Sequence, residues 1–184
     1  VIDIGGGTTD IAVLSMGEIV TSRSLRWAGD KMNQAIASYI KRSKNLLVGQ
    51  HTAEQIKIQL GTAFEADPTK TMTVRGRDMV DGLPKQVAIN ELEVQKALED
   101  GLMSIVAATK EVLEQTPPEL SADIIDRGIM LTGGGALLKN IDKLITYYLQ
   151  VPVLKADDPL EAVANGTVDI GNSSRALKDE EKAK

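Results

Sequence analysis

Two glycine runs hold the residue types that could do chemistry. Gly5, Gly6 and Gly7 lie in "VIDIGGGTTD" (residues 1–10). Gly133, Gly134 and Gly135 lie in "GIMLTGGGALLKNID" (residues 128–142). Each run comes after an apolar stretch that reads as a strand. Glycine lets a second group come close to the backbone, and successive backbone N–H groups can wrap a phosphate. In the first run Thr8 and Thr9 add hydroxyl donors. Asp3, at the end of its strand, can hold a metal-bound water. Magnesium takes hard oxygen ligands and keeps several waters, so one carboxylate plus phosphate oxygens makes a normal site. In the second run the glycines are expected to open a helix over residues 136–149, whose unpaired N–H groups and dipole favour an anion. A single GGG is an ordinary tight turn. Two of them, one after a strand ending in Asp and the other opening a helix, point to nucleotide binding. Neither run has the Lys-Ser/Thr of a Walker loop, and "GGGTTD" has no helix after it, so the dinucleotide fingerprint is incomplete.

The elements that must position these loops alternate between strand and helix. Strands are expected over residues 1–4, 8–15 and 18–26 as a meander, with turns at GGG and "MGE". Residues 29–44 form a helix with Met32, Ile36, Tyr39 and Ile40 on one face, and Lys41, Arg42 and Lys44 at the end that suits cations. A second helix starts at Thr52, with Thr52 and Gln55 as a capping box, and runs to about Gly61. The period then changes to two, giving a strand pair within residues 70–90 joined by "DGLP". Residues 91–115 form a long helix with Leu98, Leu102, Ile105, Thr109 and Val112 on one face, ended by "TPPE". Residues 128–132 form a strand. In the helix after the second GGG, Leu137, Ile141, Leu144, Ile145 and Tyr148 are expected to point inward. "VPVLKA" is a last strand, and Asp158 and Pro159 start a last helix. The end, "RALKDEEKAK", is a charged tail.

Composition narrows the function classes. The net charge of −5 gives no broad attraction to nucleic acid or anionic lipid. The absence of cysteine excludes disulfides and thiolate metal sites. No run is long and apolar enough to span a bilayer. The sequence opens at Val1 in what reads as a buried strand, which creates the expectation of a piece of a longer chain.

The two glycine motifs resemble those of a known superfamily. "DIGGGTTD" is similar to the second phosphate loop of the actin-like ATPases, and "LTGGGALLKNID" to their adenosine loop. Within that superfamily the runs "SRSLRWAGDKMNQAI", "TAEQIKIQLGTAF", "TPPELSADIIDRGIMLTGGGALLKNID" and "ADDPLEAVANG" resemble the MreB family of bacterial actins, in the same order and at matching intervals. The likeness extends to about Gly171. It implies an α/β, ribonuclease-H-like fold shared by actin and the heat-shock chaperone ATPases, here the second lobe with a small inserted subdomain. Residues 1–28 and 115–171 would form the core with the two loops, residues 29–114 the helices and the inserted subdomain, and residues 172–184 the tail. The first phosphate loop, the acidic residue that activates water and the membrane-inserting segments would lie in the other half.

The resemblance also implies roles. Asp3 would orient Mg2+ through water. Gly5, Gly6, Gly7 and Thr8 would cradle the β- and γ-phosphates of ATP, and Thr8 or Thr9 would help position the hydrolytic water. Glu54, Gln55, Ile56 and Lys57 would face the adenosine. The bland alternative for Glu54 and Lys57 is a surface pair at spacing three. Gly133, Gly134, Gly135, Ala136 and Leu137 would pass under the adenine and α-phosphate. Asp30 is either a helix cap or close to the ribose. Trp27 departs from the family, standing where a smaller residue is common. His51, at a helix start, reads as solvated. The implied function is the ATP-binding lobe of a rod-shape-determining protein. It polymerises into cytoplasmic, membrane-associated filaments, meets itself and the membrane proteins of cell elongation, and hydrolyses ATP only with the whole cleft. No nucleic acid is implied. Alternatives are a chaperone or sugar-kinase lobe of the same fold, or a non-catalytic interaction module.

Overall fold

Ile2 and Ile4 are fully buried while Asp3 between them is not, the alternation of a strand with one face on a core. The computed structural model describes residues 1–162 of the chain. This first strand, β1 (Ile2–Ile4), is the middle of a five-stranded sheet. It pairs antiparallel with β2 (Thr9–Ser15), which pairs with β3 (Glu18–Leu25). On its other side it runs parallel to β7 (Ile129–Thr132), with Asp3 opposite Thr132, and β7 runs parallel to β8 (Val153–Lys155). The order is therefore β3-β2-β1-β7-β8. A second, three-stranded antiparallel sheet holds β4 (Leu46–Leu47), β5 (Thr71–Asp78) and β6 (Pro84–Asn90).

Helix α1 (Gly29–Lys44) buries Met32, Ile36 and Ile40, the 3.6-residue stripe of the sequence. Helix α3 (Glu91–Glu114) buries Leu98, Leu102, Ile105, Thr109 and Val112 and lies against β2 and β3. Its first turn is closed by a capping box. The Glu93 N–H donates to Asn90 Oδ1 (2.9 Å) and the Asn90 N–H to Glu93 Oε2 (3.0 Å). Glu93 also pairs with Lys44 at 2.8 Å, which ties the end of α1 to the start of α3.

Three expectations are corrected, and two elements appear beyond those expected. Helix α2 (Gln50–Leu60) starts two residues before Thr52, at an N-cap of Gly49, and has no side-chain cap, so the Thr52/Gln55 box does not form. Thr52 falls inside the first turn, where its position no longer faces the orphan N–H groups. The stretch after the second GGG is not one helix. Residues 134–137 make a single 3-10 turn, Asn140 takes a left-handed backbone (φ 60°), and α5 (Ile141–Leu149) begins after it. Leu137 and Tyr148, expected inward, are exposed. Helix α4 (Pro118–Arg127) is not anticipated: it is ten residues long, follows directly on the proline stop of α3, and its apolar positions Leu120 and Ile124 are only half-buried, with Ile124 packed on the core. Strand β4 is two residues long, too short for a period to register. Of the expected last helix only the start is described, where the Ala162 N–H bonds the Asp158 carbonyl at 2.9 Å. The rest of that helix and the tail lie outside the described residues.

Candidate functional site

Parallel strands deliver their outgoing loops to the same end of the sheet, and ligands of open α/β sheets bind outside those carboxyl ends. β1 leads into Gly5 and β7 leads into Gly133, so both glycine loops open onto one side. There they wall a cleft of about 670 Å³. Gly5 and Gly6 form one rim and Gly134, Gly135 and Leu137 another. Gly29 and Asp30 of α1 and Glu54, Lys57 and Ile58 of α2 close the third side.

The first loop is a tight turn. The Gly5 N–H donates to the Thr8 carbonyl at 3.0 Å, which starts the β1–β2 hairpin. The loop is tied down from above, because the Gly29 N–H donates to the Gly5 carbonyl (3.0 Å) and the Asp30 N–H to the Gly6 carbonyl (2.8 Å). Gly6 and Gly7 are exposed, with no atom within 4 Å of where a side chain would begin. Their N–H groups have no backbone acceptor among the described residues. A cradle of bare N–H groups with room above it fits an anionic ligand.

The second loop is packed against the first strand. Gly133 has φ +80°, and a β-carbon there would land on Asp3 Oδ1 and the Ile4 carbonyl oxygen. A β-carbon on Gly135 would overlap the Ile4 side chain. The Gly133 N–H donates to the Pro159 carbonyl at 2.7 Å, and Leu160 covers Gly134. The second run is thus glycine chiefly so that it can lie on β1, which brings the Asp3 carboxylate to the seam between the loops.

The implied site residues divide accordingly. Gly5, Gly6, Glu54, Lys57, Gly134, Gly135 and Leu137 line the cleft. Asp3, Gly7, Thr8 and Gly133 are chain neighbours of lining residues in the same two loops but do not themselves line the cleft. Thr8 Oγ1 donates to Asp10 Oδ2 at 3.0 Å on the exposed side of the turn. Thr9 is fully buried and its hydroxyl donates to the Trp27 carbonyl at 2.7 Å, so its side chain is turned away from the cleft. Ile56 and Ala136 are fully buried core residues whose side chains do not reach the cleft. Gln55 is off the cleft on α2, where it accepts a bond from Gln59. At helical spacing Glu54, Lys57 and Ile58 share the face that looks in, and the two residues between Glu54 and Lys57 must look elsewhere.

Sequence reasoning missed the far end of the cleft, where Lys70, Glu91 and Lys139 meet. Glu91 is 3 % exposed. It accepts from Lys139 Nζ (2.7 Å) and from the Asp67 N–H (2.6 Å). Burial alone would raise its carboxyl. The bonds from Lys139 and Asp67, with the charges of Lys139 and Lys70, outweigh this and hold it below the usual carboxylate range. The bond to Glu91 raises the Lys139 ammonium in turn. Lys70, Glu91 and Lys139 are 21 to 69 positions apart along the chain (91 − 70 and 139 − 70), so no local motif announces them. Lys57 behaves otherwise: burial lowers its ammonium, against the pull of Glu54 and Asp30, and its Nζ reaches the Gly29 carbonyl at 3.3 Å. His51 is exposed, as expected. Among the described residues no cluster of three or more His, Asp or Glu forms a metal cage, and no helix is long and apolar enough to cross a membrane.

Known proteins resemble the chain over nearly its whole length. The chain is 56 % identical over 167 residues to the cell shape-determining protein Mbl of Bacillus subtilis, covering 91 % of this chain and 50 % of that protein. It is 46 % identical to the cell shape-determining protein MreB of Escherichia coli, over 90 % of this chain and 48 % of that one. The crystal structure of MreB5 of Spiroplasma citri bound to AMPPNP superposes with a TM-score of 0.93 at 40 % identity, over 98 % of this chain and 54 % of that one. The chain spans about half the length of the curated relatives it matches. The fold is therefore that of the actin-like ATPases. The family model for MreB/Mbl protein matches residues 1–179, and the chain belongs to that family.

Proposed function

We propose that the chain is the nucleotide-holding second lobe of an MreB/Mbl-type actin-like protein. The observation that carries this is the single cleft onto which both glycine loops open, at the carboxyl ends of β1 and β7. In support, MreB5 of Spiroplasma citri has been crystallised with AMPPNP and with ADP. In this reading the N–H groups of Gly5, Gly6 and Gly7, with Thr8, receive the β- and γ-phosphates. Gly134, Gly135 and Leu137 underlie the base and α-phosphate. Glu54 and Lys57 reach the adenosine. Asp3, at the seam of the loops, holds Mg2+ through water, and its hard oxygen donor beside the open N–H cradle fits that ion. When bound, the ion neutralises charge on the phosphates. The chain's own residues bind and orient, and the water-activating acid is assigned to the other half of the cleft. Residues 1–28 with 115–171 act as the core, and residues 29–114 carry the small sheet, whose β5–β6 hairpin meets the next subunit of a filament. The whole protein would polymerise at the membrane, meet elongation proteins there and organise wall growth.

Calorimetry with ATP and Mg2+ tests this on two proteins. One is the 184-residue chain, and the other is the same chain joined behind the first half of a full-length family member. Tight binding is expected only in the joined protein, where Asp3→Ala abolishes hydrolysis. Hydrolysis by the 184-residue chain alone would overturn the split-cleft assignment. Binding by neither protein would overturn the nucleotide function.

A further inference from the structure

Trp27 is the only tryptophan of the chain, and the nucleotide reading makes no use of it. Its indole rests on Gly101, in the middle of α3. A β-carbon added to Gly101 would overlap indole atoms Cε2, Cζ2 and Nε1. Glycine inside a helix is less favourable than alanine, so this position is explained by the ring it admits. The ring is a rigid plane that moves only through two side-chain torsions. A methyl on Gly101 would therefore displace it as a unit.

The backbone of Trp27 leads directly to the groups that hold the first glycine loop. Its carbonyl accepts the Thr9 hydroxyl at 2.7 Å, from the residue that opens β2 just after that loop. Ala28, next along, is fully buried. The next two N–H groups, of Gly29 and Asp30, hold the Gly5 and Gly6 carbonyls at 3.0 and 2.8 Å. One side of the segment is thus seated on α3 through the indole. The other side grips the two peptide groups whose orientation decides where the Gly6 and Gly7 N–H groups point.

We infer that Trp27, seated on Gly101, is a positioning residue for the first glycine loop. The indole sets where the turn into α1 lies over the sheet, and that turn sets the loop. The consequence for nucleotide affinity rests on the proposed nucleotide function, but the consequence for the loop does not.

Amide hydrogen exchange by NMR on the full 184-residue chain reads the loop directly, through the N–H groups of Gly29 and Asp30. Amides of the β5–β6 ladder, in the other sheet, serve as the reference. Gly101→Ala and Trp27→Ala should each speed exchange at Gly29 and Asp30 by about tenfold or more while the reference ladder is unchanged. In Gly101→Ala the indole emission should also shift to the red. Trp27→Phe placed in the Gly101→Ala background, a smaller ring that leaves room for the methyl, should recover most of the protection. Unchanged exchange in both single variants would overturn the proposal. So would acceleration that is equal in the reference ladder, because it would mean lost packing alone. Fluorescent ADP binding in the joined protein is the second readout, and Gly101→Ala should weaken it. If the unsubstituted joined protein bound no nucleotide, the proposed function would fail while the exchange result would still decide the role of Trp27.

Discussion

Replacing Glu91 should be costly out of proportion to an ordinary ion pair. An exposed Lys–Glu pair contributes about 0–1 kcal/mol. Glu91 differs in being buried, with a 4 % exposed side chain facing a Lys139 that is 41 % exposed. Its two bonds, from Lys139 Nζ and the Asp67 N–H, are both charge-assisted. Glu91→Ala removes both and leaves the Asp67 N–H without its acceptor, at about 1–3 kcal/mol for an unmet donor. With the lost packing the total should be about 2–4 kcal/mol. Glu91→Gln keeps one oxygen as acceptor for the Asp67 N–H but turns its NH2, a donor, toward Lys139, so the Lys139 bond is lost with the charge and about 1–2 kcal/mol is expected. Lys139→Met should couple to it, the double variant costing less than the two single ones together. The pH dependence has a definite sign. The native Glu91 carboxyl is held below its ordinary value of 4.5, so its stabilisation is complete above that pH and fades as pH falls through the native value. The raised Lys139 ammonium adds stabilisation that is present below 10.5 and fades as pH rises beyond it. Urea unfolding of the parent and of Glu91→Gln should thus show a constant gap near neutrality that closes in acid. A cost for Glu91→Ala below about 1 kcal/mol would refute the reasoning. A parent–Gln gap that persists unchanged in acid would refute the assignment to charge.

Two other substitutions test the loops and elements. Gly133→Ala must adopt φ +80° and place a methyl on Asp3 and the Ile4 carbonyl, whereas Gly17→Ala at the same φ meets open space. By urea unfolding the first should cost about 2–5 kcal/mol and the second about 1 kcal/mol; equal costs would show that the Gly133 contact with β1 is not tight. Asn90→Ala opens the capping box of α3 and should lower stability by about 1 kcal/mol in the same assay; Glu93→Gln keeps an oxygen for the Asn90 N–H but loses the Lys44 pair, so its cost should shrink in the Lys44→Met background.

Much of the fold is written locally. The stripe of Met32, Ile36 and Ile40, the stripe from Leu98 to Val112, and the period-two runs on either side of "DGLP" define their elements because burial of one face imposes a period on the residues that fill it. Both glycine loops are legible for the same reason, since a turn that admits no side chain leaves a visible mark. Where an element is short or its cap bears no side chain, the signal is weak. Helix α4 is ten residues long behind two prolines, with Leu120 and Ile124 as its half-buried apolar positions, and the cap of α2 is a glycine with no side chain to advertise it. The break at Asn140 divides an apolar run that reads as continuous in sequence.

What the chain order cannot state is which residues face each other. Parallel pairing of β1 with β7 puts two loops 128 positions apart (133 − 5) on one cleft, and brings Asp3 against Gly133. Only that packing turns Thr9 toward Trp27 rather than toward the cleft, sinks Ile56 and Ala136 into the core, and exposes Leu137 to the cleft. It also assembles Lys70, Glu91 and Lys139 from three separate parts of the chain and sets the Trp27 indole on Gly101. The sequence by itself determined the long helices and most strands, the two glycine loops and the family, because these rest on local period and on contiguous motifs. The membership of the cleft was decided by the tertiary structure, because a side chain's direction depends on which neighbour excludes it from every other place.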